Sequence, residues 1–292
     1  MKRWMIGVCL LGLLLCGCGQ TEELPDDTAA VSLTQELEAD KLVYVSLGDS
    51  IARGYGLTNL QEERFSTIAA ERWDGDVEVY NYGVDGQTSS QLIAMLENGN
   101  AAELAEADVV SVSIGANNVL KHMWQFLYDY TIYLYADPVQ ITDTEIAEGF
   151  RAFTAAADEG CRILEEDVPL LMETIRRINP DCDVLFLTLY NPYEAVNTEL
   201  RIDGLPISFA ALSDTYVRKI NECIRDGTAE DENTKIVDVY SAFAGRADQL
   251  VCAYTPEGMS PLDLDMSTMD PHPNAMGHKV IGGLVGEAFT RK

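Results

Sequence analysis

Tyr44-Val45-Ser46-Leu47-Gly48-Asp49-Ser50-Ile51-Ala52-Arg53-Gly54 is the stretch that decides the fold. An apolar run over 42–47 stops at a glycine, an Asp-Ser pair follows, and helix-compatible residues come next. That order is the profile of a buried strand, a tight turn and a helix start, with a serine at the turn. A hydroxyl placed there sits at the carboxyl end of a strand, where open α/β sheets hold their ligands, and near the positive end of a helix dipole. Taken alone, an Asp-Ser pair at this point is more simply a helix cap. A larger role requires a base and an oxyanion hole from elsewhere in the chain.

Outward from this stretch, apolar, β-rich runs recur at 77–82, 109–114, 184–189 and 236–239. Helical patterns lie between them over 51–73, 88–96, a long stretch at 119–178, and 209–225, and a last helix covers 274–289. Strands alternating with helices predict a mostly parallel sheet covered on both faces, in an α/β class fold. Five strands suit the flavodoxin-like order 2-1-3-4-5, with the first strand central and Ser50 bordering the crevice. No internal repeat or second linker appears after residue 41, so one domain is expected over 41–292.

The beginning of the chain does not belong to that core. Lys2 and Arg3 precede an apolar run over 4–15 that is too short to span a membrane comfortably, and the run ends in Leu15-Cys16-Gly17-Cys18. This resembles a bacterial lipoprotein signal over 1–17, with Cys18 as the lipidated residue and an acidic, polar tether over 18–40. Such processing places the protein outside the cytoplasm on a membrane lipid anchor. It removes two basic and no acidic residues, leaving 18 basic and 48 acidic residues and a formal charge of −30. So acidic a surface repels phosphate backbones, which excludes nucleic acid as an expected partner. Cys161, Cys182, Cys223 and Cys252 show no Cys-x-x-Cys spacing, which argues against zinc. Whether they pair as disulfides or pack as small hydrophobes is open at this point.

Three histidines are present, and a serine nucleophile needs a base that works near neutral pH. His122 lies in an aromatic-rich helical stretch, and His278 lies inside the last helix. His272 differs, because Asp270-Pro271-His272-Pro273-Asn274 is a proline-stiffened loop just before that helix. Two further loops follow strands. In Asn81-Tyr82-Gly83-Val84-Asp85-Gly86 the glycines allow a backbone N–H to turn toward the crevice. In Ser113-Ile114-Gly115-Ala116-Asn117-Asn118 an asparagine either caps the next helix or points its amide at developing negative charge.

Together these blocks resemble the SGNH, or GDSL-type, esterase and lipase family. Gly48-Asp49-Ser50 matches its first block, Gly83 its second, Gly115-Ala116-Asn117-Asn118 its third, and His272 with Pro273-Asn274 its last. The resemblance implies a three-layer α/β/α sandwich, the SGNH hydrolase fold, and ester hydrolysis with no metal or other cofactor. It implies Ser50 as nucleophile and His272 as base, with an oxyanion hole made by the Ser50 and Gly83 N–H groups and the Asn117 side chain. Two departures stand out. Asn118 replaces the usual aspartate of the third block, and Met269 occupies the position where the aspartate that orients the histidine is expected. Asp270, two residues before His272, is the preferred substitute, ahead of Asp265 or a backbone carbonyl.

The aromatic stretch over 124–135 is either an acyl-pocket wall or lid, or a helix buried on more than one side. The expected function is an envelope-anchored serine carboxylic ester hydrolase acting on lipid-like acyl esters. O-acetyl groups of cell-wall sugars and acyl transfer at the same residues are alternatives. A catalytically silent, surface-binding lipoprotein is the rival from another class.

Overall fold

The apolar run after Lys41 forms β1 (Leu42–Gly48), and every residue of it but Val43 is buried. A strand buried on both faces requires a covering layer on each side. The computed structural model describes residues 41–135 and 141–290. The expected signal segment, Cys18 and the tether lie outside the described residues.

In chain order β1 is followed by α1 (Ser50–Arg53), α2 (Leu60–Glu63), α3 (Phe65–Ala70), β2 (Val77–Gly83), α4 (Ser89–Glu97), β3 (Val109–Ser113), α5 (Asn117–Tyr135) and α6 (Asp143–Ile178). Then come β4 (Asp183–Leu187), β5 (Glu199–Ile202), β6 (Leu205–Ser208), α7 (Phe209–Thr228), β7 (Thr234–Val237), α8 (Val239–Phe243), α9 (Ala247–Leu250) and α10 (Ala275–Ala288). The main sheet runs β2-β1-β3-β4-β7, with every neighbouring pair parallel. This is the expected 2-1-3-4-5 order, with β1 inside the sheet and flanked by β2 and β3. α3 and α10 pack together in one helical layer, while α4, α5 and α7 pack against the long α6 in another.

Three features depart from the sequence-based expectation. The helix expected over 51–73 is broken into α1, α2 and α3, first where Gly54 and Gly56 take left-handed backbone angles and again at Arg64, whose backbone is extended. The long stretch over 119–178 is two helices, and a capping box of Thr142 and Glu145 starts the second. Residues 199–208, where the sequence patterns above place no element, carry an antiparallel hairpin, β5–β6, whose turn is Asp203-Gly204 with both residues at positive φ. Asp-Gly in such a primed turn is a legible hairpin signal.

Register aligns the strand ends. Gly48 pairs with Gly83 on one side and Ser113 on the other, so β1, β2 and β3 finish level. Polar groups inside the sheet are satisfied: the Tyr44 hydroxyl donates to Ser111 Oγ at 2.7 Å, and Ser111 Oγ donates to Ser46 Oγ at 3.2 Å. Cys161, Cys182, Cys223 and Cys252 are free thiols.

His278, on α10, is wholly buried and stacks on Phe65 with ring centroids 6.1 Å apart. Its Nδ1 accepts from the Phe65 N–H at 3.4 Å, so Nε2 carries the proton and has no partner among the described residues. Burial lowers this imidazole to a pKa of about 4. Between that value and the ordinary 6.5 the unfolded chain takes up a proton that the folded chain refuses. Stability present above pH 6.5 is therefore lost as the pH falls toward 4, by up to roughly 3 kcal/mol. Thermal unfolding from pH 7 to pH 4 is expected to show a steeper acid loss for the wild type than for His278→Gln. Equal slopes would remove His278 from the acid limb.

Candidate active site

Ser50 is placed by the end of β1. The chain turns sharply at Gly48, whose φ is +138° and whose Cβ, if present, would lie 2.0 Å from the Ser113 carbonyl oxygen. Asp49 then caps α1, its Oδ1 accepting from the Ile51 N–H at 2.9 Å. The cap and the serine are thus separate residues. Asp49 does the capping, and the Ser50 hydroxyl is left to contact His272 Nε2 at 2.9 Å.

His272 reaches Ser50 from the loop before α10. Its Nδ1 lies 2.6 Å from Asp270 Oδ1, and its backbone N–H donates to the same oxygen at 3.1 Å. Asp270 therefore takes the place that the sequence resemblance assigns to residue 269. Met269 is buried in the core instead, while Asp265 accepts from Ser267 and turns away. The loop is pinned by the Tyr190 hydroxyl donating to the Pro271 carbonyl at 2.8 Å and by the Cys252 N–H donating to the His272 carbonyl at 2.9 Å. Burial pushes the Asp270 carboxyl up, but the His272 hydrogen bonds outweigh it and hold it below the usual aspartate value. An ionised Asp270 fixes the proton on Nδ1 and leaves Nε2 to accept from the serine. The Tyr55 ring covers the imidazole, with centroids 4.4 Å apart.

Three polar groups face the same space. The Ser50 N–H makes no hydrogen bond among the described residues. Asn117, the first residue of α5, donates from Nδ2 to the Gln87 carbonyl at 3.1 Å, with Asp49 Oδ2 at 3.5 Å. The third is not Gly83. The Gly83 N–H is spent on Asn81 Oδ1 at 3.1 Å, and a Cβ at 83 would lie 2.2 Å from the Arg53 nitrogen. Gly83 is the close-packing glycine beneath α1, and it does not line the cavity. Gly86, the second glycine of the same block, does line it and has an uncommitted N–H. The block was legible in the sequence, but which of its glycines offers an N–H depends on where Asn81 points.

Asn118 faces away from this space. It clamps the start of α4, accepting from the Ser89 N–H at 3.2 Å and donating to Ser89 Oγ at 2.8 Å. His122 is exposed and His278 is in the core, so neither joins the site. Asp49 is fully buried, which pushes its carboxyl up to a pKa of about 7 against the pull of the Ile51 N–H.

Ser50, Asn117 and His272 line a cavity of about 450 Å³ whose remaining wall is mainly apolar. The aromatic stretch supplies Trp124 to this wall, while Phe126 and Tyr130 are buried away from it and Tyr128 and Tyr135 are exposed. That stretch is therefore divided between the core, the cavity wall and the surface. Chemically, a serine, an imidazole and a carboxylate in this order can move a proton off Oγ, and adjacent N–H donors can take up negative charge.

Comparison with known proteins gives the family and the fold. Residues 46–280 match the model of the GDSL-like lipase/acylhydrolase family. The uncharacterized protein YpmR of Bacillus subtilis (strain 168) is 22% identical over 285 residues, covering 96% of this chain and 93% of its own. Among solved structures, the extracellular lipase from Streptomyces rimosus superposes with a TM-score of 0.56 at 17% identity, covering 85% of this chain and all of that one. Phospholipase A1 from Streptomyces albidoflavus NA297 gives 0.57 at 15% identity, covering 85% of this chain and 99% of that one. At such identities the structural likeness speaks for the fold. The match from residue 46 to 280 takes in Ser50, Asn117, Asp270 and His272, and the chain belongs to the GDSL-like lipase/acylhydrolase family.

Proposed function

We propose that this ester hydrolase cleaves carboxylic esters through an acyl-enzyme on Ser50, with His272 as general base and acid and Asp270 as its orienting partner. The observation that carries the proposal is the hydrogen-bonded chain Ser50–His272–Asp270 lining the apolar cavity. Ser50 Oγ attacks the ester carbonyl as its proton passes to His272 Nε2. Asp270 stabilises the imidazolium that forms. The oxyanion is met by the N–H groups of Ser50 and Gly86 and by Asn117 Nδ2. His272 then gives the proton to the leaving alcohol, and the carbon–oxygen ester bond breaks. Water repeats the sequence on the acyl-enzyme and releases the carboxylic acid.

An intact proton path favours hydrolysis over a silent binding role, since a surface-binding lipoprotein has no use for an aligned imidazole. The apolar wall favours acyl esters over acetylated sugars, whose hydroxyls would lose water there without replacement. Lipidation at Cys18 and attachment to the outer face of the cytoplasmic membrane belong to the same proposal, supported by Leu15-Cys16-Gly17-Cys18 at the end of the apolar run. One acyl chain anchors only marginally, so two or more are expected on the mature residue.

Five outcomes test this. Ser50→Ala is expected to abolish hydrolysis across a panel of acyl esters, and Asp270→Asn to lower kcat by between about tenfold and 10⁴-fold with folding intact. A near-wild-type rate for Asp270→Asn would dismiss that residue as the partner. Asn117→Ala is expected to cost roughly 10²–10³ in kcat, and a structure of the phosphonylated enzyme should put the phosphoryl oxygen about 3 Å from the Gly86 nitrogen. Contact with the Gly83 nitrogen instead would reverse the assignment. Metabolic labelling with palmitate is expected to mark the full chain and to be lost in Cys18→Ser; equal labelling of the two would refute lipidation there.

A further inference from the structure

We infer that the cavity is an acyl channel that selects medium-length chains, of about eight to ten carbons, with Phe153 as its end stop. The inference rests on the hydrolase reading above and adds the substrate class.

Three helices build the channel. α5 starts beside Ser50, with Asn117 Nδ2 3.5 Å from Asp49 Oδ2, and lines one wall with Leu120, Met123 and Trp124. α7 lines the other. Ile220 lies at the sheet end, where a Cβ on Gly115 would meet its Cγ2 at 3.1 Å, and Val217, Ser213 and Leu212 follow outward. Along α5 the lining runs from Asn117 to Trp124, and along α7 from Ile220 to Leu212. At 1.5 Å per residue both walls are roughly 10–12 Å long. An extended hydrocarbon zigzags forward by roughly 1.3 Å for each carbon–carbon bond of about 1.5 Å, so such walls cover about eight or nine bonds.

α6 closes the far end. Gly160 touches the start of α5, since a Cβ there would lie 2.1 Å from the Asn118 carbonyl oxygen. Phe153, seven residues earlier on α6, therefore lies roughly 10 Å from that point along its axis. Its buried ring meets Tyr216 edge-on at 5.8 Å and stacks on Phe126 at 5.8 Å. Rings packed on both sides leave Phe153 little room to give way. Each methylene taken from water into such walls strengthens binding by roughly two- to fourfold until the channel is full.

The test is kcat/KM on p-nitrophenyl esters from acetyl to palmitoyl, for the wild type, Val217→Phe, Ser213→Phe and Phe153→Ala. The wild type is expected to gain at least about tenfold from acetyl to octanoyl and to stop gaining beyond decanoyl. Either filling variant should cut the octanoyl-to-acetyl ratio by about tenfold or more, and Phe153→Ala should move the limit to longer chains. Two filling variants at different positions, each checked by circular dichroism, guard against one that fails to fold. Ser50-dependent activity that is flat or greatest on acetyl esters would overturn the acyl channel and leave the hydrolase reading standing. Activity that keeps climbing to palmitoyl, or an unmoved limit in Phe153→Ala, would overturn the end stop. A wild type that hydrolyses none of the esters would overturn the hydrolase reading itself.

Discussion

The approach of the Gly48 backbone to Ser113 is the constraint on which the site depends. No side chain fits there, because a Cβ would sit 2.0 Å from a carbonyl oxygen. With that contact made, the Asp49 N–H donates to the same carbonyl at 3.1 Å, and β1 hands the chain to α1 at the level where β3 hands it toward α5. Ser50 and Asn117, 67 positions apart in the sequence, thereby face one space. Asp49 joins the two, capping α1 with one oxygen and lying 3.5 Å from Asn117 with the other. Burying a carboxyl is costly unless its lone pairs are met, and Asp49 responds with a pKa raised to about 7.

His272 is held by different means. Asp270 and His272 lie in one tight loop, so a single carboxylate oxygen accepts both the backbone N–H and the ring N–H. Pro271 between them stiffens the turn, and the Tyr190 hydroxyl holds its carbonyl. The imidazole is held by short-range geometry, so little entropy is lost in fixing its orientation toward Ser50. Asp270 keeps 41% of its side chain in solvent, so its charge is better screened than that of a buried partner.

The apolar cavity follows from the topology. α5 and α7 both pack against α6, and both line the cavity beside the residues that follow β1 and β3. This is where doubly wound sheets place their ligands, at the switch point beside the first strand. Here the cavity is walled by residues that helical periodicity alone would assign to the core.

The strand order and α/β class were determined by the sequence itself, because they rest on local signals, and its resemblance to a known family singled out Ser50 and His272, which lie 2.9 Å apart. Apolar runs, a strand-ending glycine and a proline-framed histidine act over a few residues and are visible as text. Only the tertiary structure decided that Gly86 and not Gly83 faces the cavity, since Asn81 takes the Gly83 N–H and α1 lies against its Cα. It also put Asp270, and not Asp265, within hydrogen-bond reach of the His272 ring, and it divided the aromatic stretch between core, cavity wall and surface. Which donor is free, and which carboxylate reaches a ring, depends on atoms brought together from distant segments, and no local pattern encodes that competition.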